Sequence, residues 1–315
     1  MTVVIAISVL CLTVIGYGEN RTAGKSVFGE RHFTEYLAGD LPLIIAAPHD
    51  GRLRPAEIPD RSCGVTTADS NTQDLARLIA MELQKRTGRR LHLVICHLHR
   101  SKLDANREIN EAAQGNALAE QAWKEHHAFI ETACDAAVCQ FGVAFFIDLH
   151  GHAHSDSRVE LGYLYSPLEL AGCEEGLNES SFIQSGSLRW IAQRSHLSHN
   201  DLLRGPHSLG ALLEAQGFPS TPGPRLPLPT EPYFRGGYTV ARHCDATRQV
   251  CGVQIEANRP FLRDTAENRL RFARALVTAL ETFFPTLLDI TLDGSRTEPV
   301  SSRTPSSLSP IAPQR

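Results

Sequence analysis

Apolar runs separated by stretches of helical period set out an alternation of strands and helices. Residues 41–47 and 143–149 are almost continuously apolar, as expected of strands covered on both faces, and 91–98 is a further strand candidate. Residues 70–85 place Leu75, Leu78, Ile79 and Leu83 on one side of a helix, with Asp69 or Ser70 positioned to cap it. The pattern predicts one long helix over 109–139, helices at 181–194 and 209–215, and an amphipathic helix at 265–284. Residues 237–242 and 250–256 read as paired strands, after a Pro-rich loop at 219–232. The alternation predicts an α/β fold, with a mixed, mostly parallel sheet flanked by helices.

The 315 residues, 42% hydrophobic, are enough for one large core. A net charge of -4, with no long basic run, argues against a nucleic-acid partner and leaves a small molecule as the expected one. Residues 2–18 carry no charge, and 3–15 are nearly all apolar. This predicts a signal peptide over 1–18 and a secreted protein without a membrane anchor after its removal. If the run is instead a buried N-terminal strand, the chain is cytoplasmic. The catalytic domain is expected over 27–292, and a disordered Ser/Pro-rich tail over 293–315.

Two glycosylation sequons, at Asn20 and Asn178, agree with export. Of eight cysteines, Cys11 lies in the leader, leaving an odd number. Cys244 and Cys251 flank a polar turn and could close a hairpin, and Cys134 and Cys139 are near neighbours. No Cys-x-x-Cys pair suggests a thiolate zinc site.

Polar side chains gather where the apolar strands end. His49 and His150 each follow a strand and precede a glycine, which makes them candidate nitrogen ligands for zinc. Asp69, where a loop meets a helix, is the third candidate ligand, and Glu57 is the alternative. Asp148 alternates with His150, so both share a strand face, and Asp148 and His152 are expected to support the ligands from behind. Glu256, at a strand end, is placed to act as general base. Asn106 and Arg107 are candidates for gripping a carboxylate. For each residue alone, a surface ion pair or an ordinary polar contact is the simpler reading.

Taken together and in order, these segments resemble the N-formylglutamate amidohydrolase family. The matching stretches are Pro48-His49-Asp50-Gly51, Ala68-Asp69-Ser70-Asn71-Thr72 and His99-Arg100-Ser101-Lys102-Leu103-Asp104-Ala105-Asn106-Arg107. Asp148-Leu149-His150-Gly151-His152 follows, then Tyr233-Phe234-Arg235-Gly236-Gly237-Tyr238-Thr239 and Gln254-Ile255-Glu256. The resemblance implies a zinc carboxypeptidase-like fold, one Zn2+ per chain held by His49, Asp69 and His150, and Glu256 as base. It further implies that Arg100 stabilises the transition-state oxygen and that Asn106 and Arg107 bind the substrate carboxylate. The implied activity is hydrolysis of an N-acyl amino acid such as N-formylglutamate. The alternatives are a carboxypeptidase-like or other N-acyl amino acid hydrolase, and a non-catalytic ligand-binding homologue. Two positions depart from the pattern: Arg52 stands where an acid is expected, and Asp50 where a small residue is.

Overall fold

The computed structural model describes residues 23–295. The expected leader, the first sequon and the tail beyond residue 295 lie outside the described residues. Strands β1 (Ser26–Phe28), β2 (Thr34–Leu37) and β3 (Leu43–Ala47) precede helix α1 (Thr72–Thr87) and β4 (His92–Cys96). Helices α2 (Ile109–Ala113) and α3 (Ala117–Phe141) lead into β5 (Ala144–His152) and β6 (Val159–Gly162). Short helices follow: α4 (Pro167–Leu170), α5 (Glu174–Leu177), α6 (Ser180–Ser185), α7 (Arg189–Ala192), α8 (His199–Arg204) and α9 (Leu209–Ala215). The chain continues through β7 (Ser220–Thr221), α10 (Tyr238–His243), β8 (Val250–Asn258) and α11 (Ala266–Leu287).

The strands form one mixed sheet in the order β1-β2-β4-β3-β5-β8-β6-β7. Its centre, β4-β3-β5-β8, is parallel; β2 and β6 flank it antiparallel. The apolar runs follow from burial on both faces. Leu43, Ile45 and Ala47 pack with Leu75, Ile79 and Leu83 of α1 and with Leu276, Leu280 and Phe283 of α11. Between them, Ile44 and Ala46 point the other way, to Phe129, Ile130 and Ala133 of α3 and Val240 of α10. Each such aliphatic side chain contributes about 1.5–3 kcal/mol by leaving water. The result is a three-layer α/β/α arrangement.

Several boundaries differ from the sequence expectation. The stretch 109–139 is two helices, because Gln114 and Gly115 take left-handed backbone angles and Asn116 starts a new helix by accepting from the backbone N–H of Leu118 and Ala119. The stretch 181–194 breaks at Gly186 into α6 and α7. Residues 238–243 form α10 rather than a strand, so β8 pairs with β5 and β6 and no hairpin joins Cys244 to Cys251. Both of those cysteines are buried free thiols, as is Cys134, while Cys139 is free and exposed. Neither Asp69 nor Ser70 caps α1; Asn71 does, in a left-handed conformation and without a side-chain bond. Among the described residues, no helix is long and apolar enough to cross a membrane.

From β3 the chain crosses one face of the sheet through α1 to reach β4. From β4 it returns over the other face through α3 to β5. The C-terminal ends of β3 and β5 therefore open a crevice where the connections part, the place at which open α/β sheets collect ligands.

Candidate metal centre and active site

His49 leaves the end of β3, and His150 lies near the end of β5. Asp69 sits three residues before α1 and is held by its backbone, whose N–H donates to the His49 carbonyl at 3.0 Å. The left-handed turn at Asn71 relieves Asp69 of capping duty, and its carboxylate turns into the crevice. His49 Nδ1 and His150 Nδ1 are 3.0 Å apart, and Asp69 Oδ2 lies 3.3 Å from the first and 3.2 Å from the second. All three residues are buried, and together they can hold a metal ion. Glu57 is exposed and stands outside this group, so Asp69 is the carboxylate that joins the histidines.

The donor set fits zinc. Bonds of about 2.0–2.1 Å in a tetrahedral site place neighbouring ligand atoms about 3.3 Å apart, close to the three spacings here. The far nitrogens of both rings face carboxylates. His49 Nε2 lies 2.7 Å from Asp104 Oδ1, which fixes the tautomer with its Nδ1 lone pair toward the other donors. His150 Nε2 lies 2.9 Å from Asp148 Oδ2 and 3.2 Å from Asn106 Nδ2.

Burial alone would raise the Asp69 carboxyl, but the two histidines outweigh it and hold it well below the ordinary carboxylate range. Burial opposes a charge on His150; Asp148, Asp69 and Glu256 overcome this and hold its pKa well above the usual value. A cation bound among these donors displaces that proton.

Asp104 lies within the His99–Arg107 stretch, between Arg100 and Asn106. It is fully buried, accepts from Arg100 Nε at 3.0 Å, and connects Arg100 to His49. No local pattern marks it, because its partner His49 is far away in sequence. Asp104→Asn is expected to weaken zinc binding about 10–100-fold while the fold is kept. Competition against a chromophoric chelator reads this directly, and an unchanged affinity would remove Asp104 from the role.

A cavity of about 450 Å³ opens over the three donors. Glu256, beside His150 in the register of β5 and β8, lines it with Arg100, Asn106, Arg107 and Gln254. Gln254 Nε2 donates to Glu256 Oε1 at 2.7 Å, while Glu256 Oε2 is buried without a hydrogen-bond partner among the described residues. Burial, followed by the nearby Asp69 and Glu160 carboxylates, pushes Glu256 up to about 8, against the opposing pull of His150 and Arg100.

Arg100 reaches the cavity but is also tied to Asp104 and, through Nη1, to Asp69 Oδ1 at 3.3 Å. Arg107 Nε donates to Glu111 and Nη1 to the Asn106 carbonyl, and Nη2 makes no hydrogen bond among the described residues. Asn106 is held through its carbonyl oxygen. Its Oδ1 accepts from Thr239 N at 2.8 Å and Thr239 Oγ1 at 3.0 Å, and its Nδ2 faces His150. Thr239 thus fixes the amide through Oδ1, while Nδ2, a donor, has no acceptor in a His150 ring whose Nε2 carries the proton when Nδ1 faces the metal donors.

His152 does not contact the three donors in the way expected of a supporting residue. Its Nε2 meets the Arg158 carbonyl at 2.8 Å, and its Nδ1 accepts from His154 N. His152, His154 and Glu160 form a second group with metal-ligand spacing. That group is already satisfied internally, because Arg158 donates to Glu160 Oε1 and Phe234 N to Glu160 Oε2. Glu160 also anchors the segment 230–237, with Arg158 holding Thr230 and Pro232. This wall of the cavity depends on contacts between β6 and a loop some 70 residues later, which local sequence pattern does not register.

No protein family and no curated protein matches the chain. Among solved structures it is similar to an N-formylglutamate amidohydrolase from Ralstonia eutropha JMP134. The identity is 13%, over 81% of this chain and 95% of that one, with a TM-score of 0.49. It is also similar to a gene product from Agrobacterium tumefaciens (12% identity, 77% and 90% covered, TM-score 0.44). An N-acetylmuramyl-L-alanine amidase from Mycobacterium abscessus matches at 13% identity, with 77% and 98% covered and a TM-score of 0.33. Likenesses of this strength assign no activity; the functional reading rests on the site.

Proposed function

We propose that the chain is a zinc-dependent amidohydrolase that cleaves the amide of an N-acyl amino acid such as N-formylglutamate, on a zinc carboxypeptidase-like scaffold. The observation that carries this reading is the convergence of His49 Nδ1, His150 Nδ1 and Asp69 Oδ2 within 3.3 Å, beside a buried carboxylate with a free oxygen. Zinc bound there would polarise the amide carbonyl and make a water acidic near neutral pH.

The chain's own groups supply the rest. Glu256 Oε2 takes the proton of the attacking water and returns it to the leaving nitrogen. Arg100, oriented by Asp104 and Asp69, faces the oxygen on which charge develops. Arg107 binds the substrate carboxylate through its free Nη2, and Asn106, held by Thr239, lines the cavity beside it. In the same reading the apolar N-terminal run is an export signal, which makes the enzyme a secreted one.

A non-catalytic binding homologue would have no use for a buried carboxylate oxygen left without a donor beside a metal site. Purified protein is expected to contain about one zinc per chain and to release formate from N-formylglutamate. A chelator should abolish that release, and added zinc should restore it. Protein that neither contains nor takes up metal would sink the reading.

A further inference from the structure

The sheet register sets out the cavity as a row. Arg107 and Asn106 come from the loop after β4, and His49 follows β3. His150 on β5, Glu256 on β8 and Glu160 on β6 are paired directly across neighbouring strands. With strands about 4.8 Å apart, Glu160 lies roughly 10 Å from His150, on the side away from Arg107. Phe234 is fixed at that end, since its backbone N–H donates to Glu160 Oε2 at 2.9 Å. Three residues on, Gly237 reaches the other side, where a Cβ would come within 2.2 Å of Asn106 Nδ2.

A substrate whose carboxylate sits at Arg107 and whose amide lies over His49, His150 and Glu256 must direct its acyl group toward Phe234. A formyl group is a single carbon and leaves that end unfilled. Phe234 lines the cavity, and the residue is 45% exposed. It is also braced. It stacks on His154 with ring centroids 5.0 Å apart and planes 22° apart, and His154 Nδ1 is held 3.0 Å from Glu160 Oε1. Beside it, Tyr233 Oη donates to the Leu161 carbonyl at 2.7 Å. A rigid, half-exposed aromatic ring at the end of a binding row is suited to an aromatic partner.

Building on the N-acyl amino acid reading, we propose that Phe234, backed by His154, forms an acyl subsite that selects an aromatic acyl group over formyl. The test compares kcat/KM of the zinc-loaded protein for N-formyl-, N-acetyl- and N-benzoylglutamate. The benzoyl compound is expected to lead the formyl one at least tenfold. Phe234→Ala should collapse that ratio, and Phe234→Tyr should keep it. A preference for formyl, or a benzoyl preference that survives Phe234→Ala, overturns the subsite. If no compound is hydrolysed, the hydrolase reading fails, and calorimetric binding of the same compounds still decides the subsite. A tenfold tighter benzoyl compound that loses its advantage in Phe234→Ala supports it, and equal binding overturns it.

Discussion

Glu256→Gln is expected to keep its zinc and lose about a thousandfold in kcat, within the 10²–10⁴ range of a positioned acid–base group. The substitution is nearly isosteric. The bond from Gln254 Nε2 can persist on the amide oxygen, and the three metal donors are untouched. Only the capacity to take up a proton at the former Oε2 disappears. Because the proposed substrate contacts lie at Arg107 and Phe234, KM should change little, and the loss should fall on kcat and kcat/KM alike. Metal analysis and steady-state kinetics on one preparation separate the cases. A variant that retains more than a tenth of wild-type turnover would falsify the assignment of the base. One that loses its zinc would show instead that Glu256 helps to hold the metal.

The site was legible where chemistry coincides with strand ends. Buried parallel strands announce themselves as apolar runs, and β3 and β5 deliver His49 and His150 at their C-terminal ends, as β8 delivers Glu256. What failed was decided by contacts distant in sequence. The segment 238–243 is too short for periodicity to separate strand from helix. It is helical because Thr239, Val240 and His243 are the residues buried on one side. β8 then finds its partners in β5 and β6 instead of a local hairpin. The break at 114–116 did carry a local cue, because Asn116 is a good cap residue after a glycine. Asp104 gains its role only when the ends of β3 and β4 come together, and Glu160 and Arg158 only when β6 meets the 230–237 segment. The engagement of the Asn106 carbonyl oxygen by Thr239 is likewise invisible without the fold.

Metal-free protein should lose stability steeply as the pH falls from about 6.5 toward 4, an unfolded histidine having a pKa of about 6.5. Burial holds His92, His126 and His199 at about 4 and His243 at about 3, the last also repelled by Arg242. Their folded pKa values lie below the unfolded one, so between these limits the unfolded chain binds more protons. The contribution of these four rings is therefore complete above about pH 6.5 and is lost as the pH drops through the window. Each group contributes at most about 1.4 kcal/mol per pH unit within it; Glu256, whose folded pKa is raised to about 8, opposes with one proton above its unfolded value, so the net slope approaches about 4 kcal/mol per unit. Against a total of about 5–15 kcal/mol, that is enough to unfold the chain within a few units. Chelator-treated protein separates this effect from loss of zinc, and urea midpoints at pH 7.5, 6 and 5 measure it. His126 offers the control: it is wholly buried, and neither ring nitrogen has a hydrogen-bond partner among the described residues. His126→Leu should be near neutral at pH 7.5, because no bond is lost, and should reduce the slope by about one proton. A midpoint that stays constant from pH 7.5 to 5 would mean that these rings are solvated in the folded chain, contrary to the packing around α3, α8 and α10.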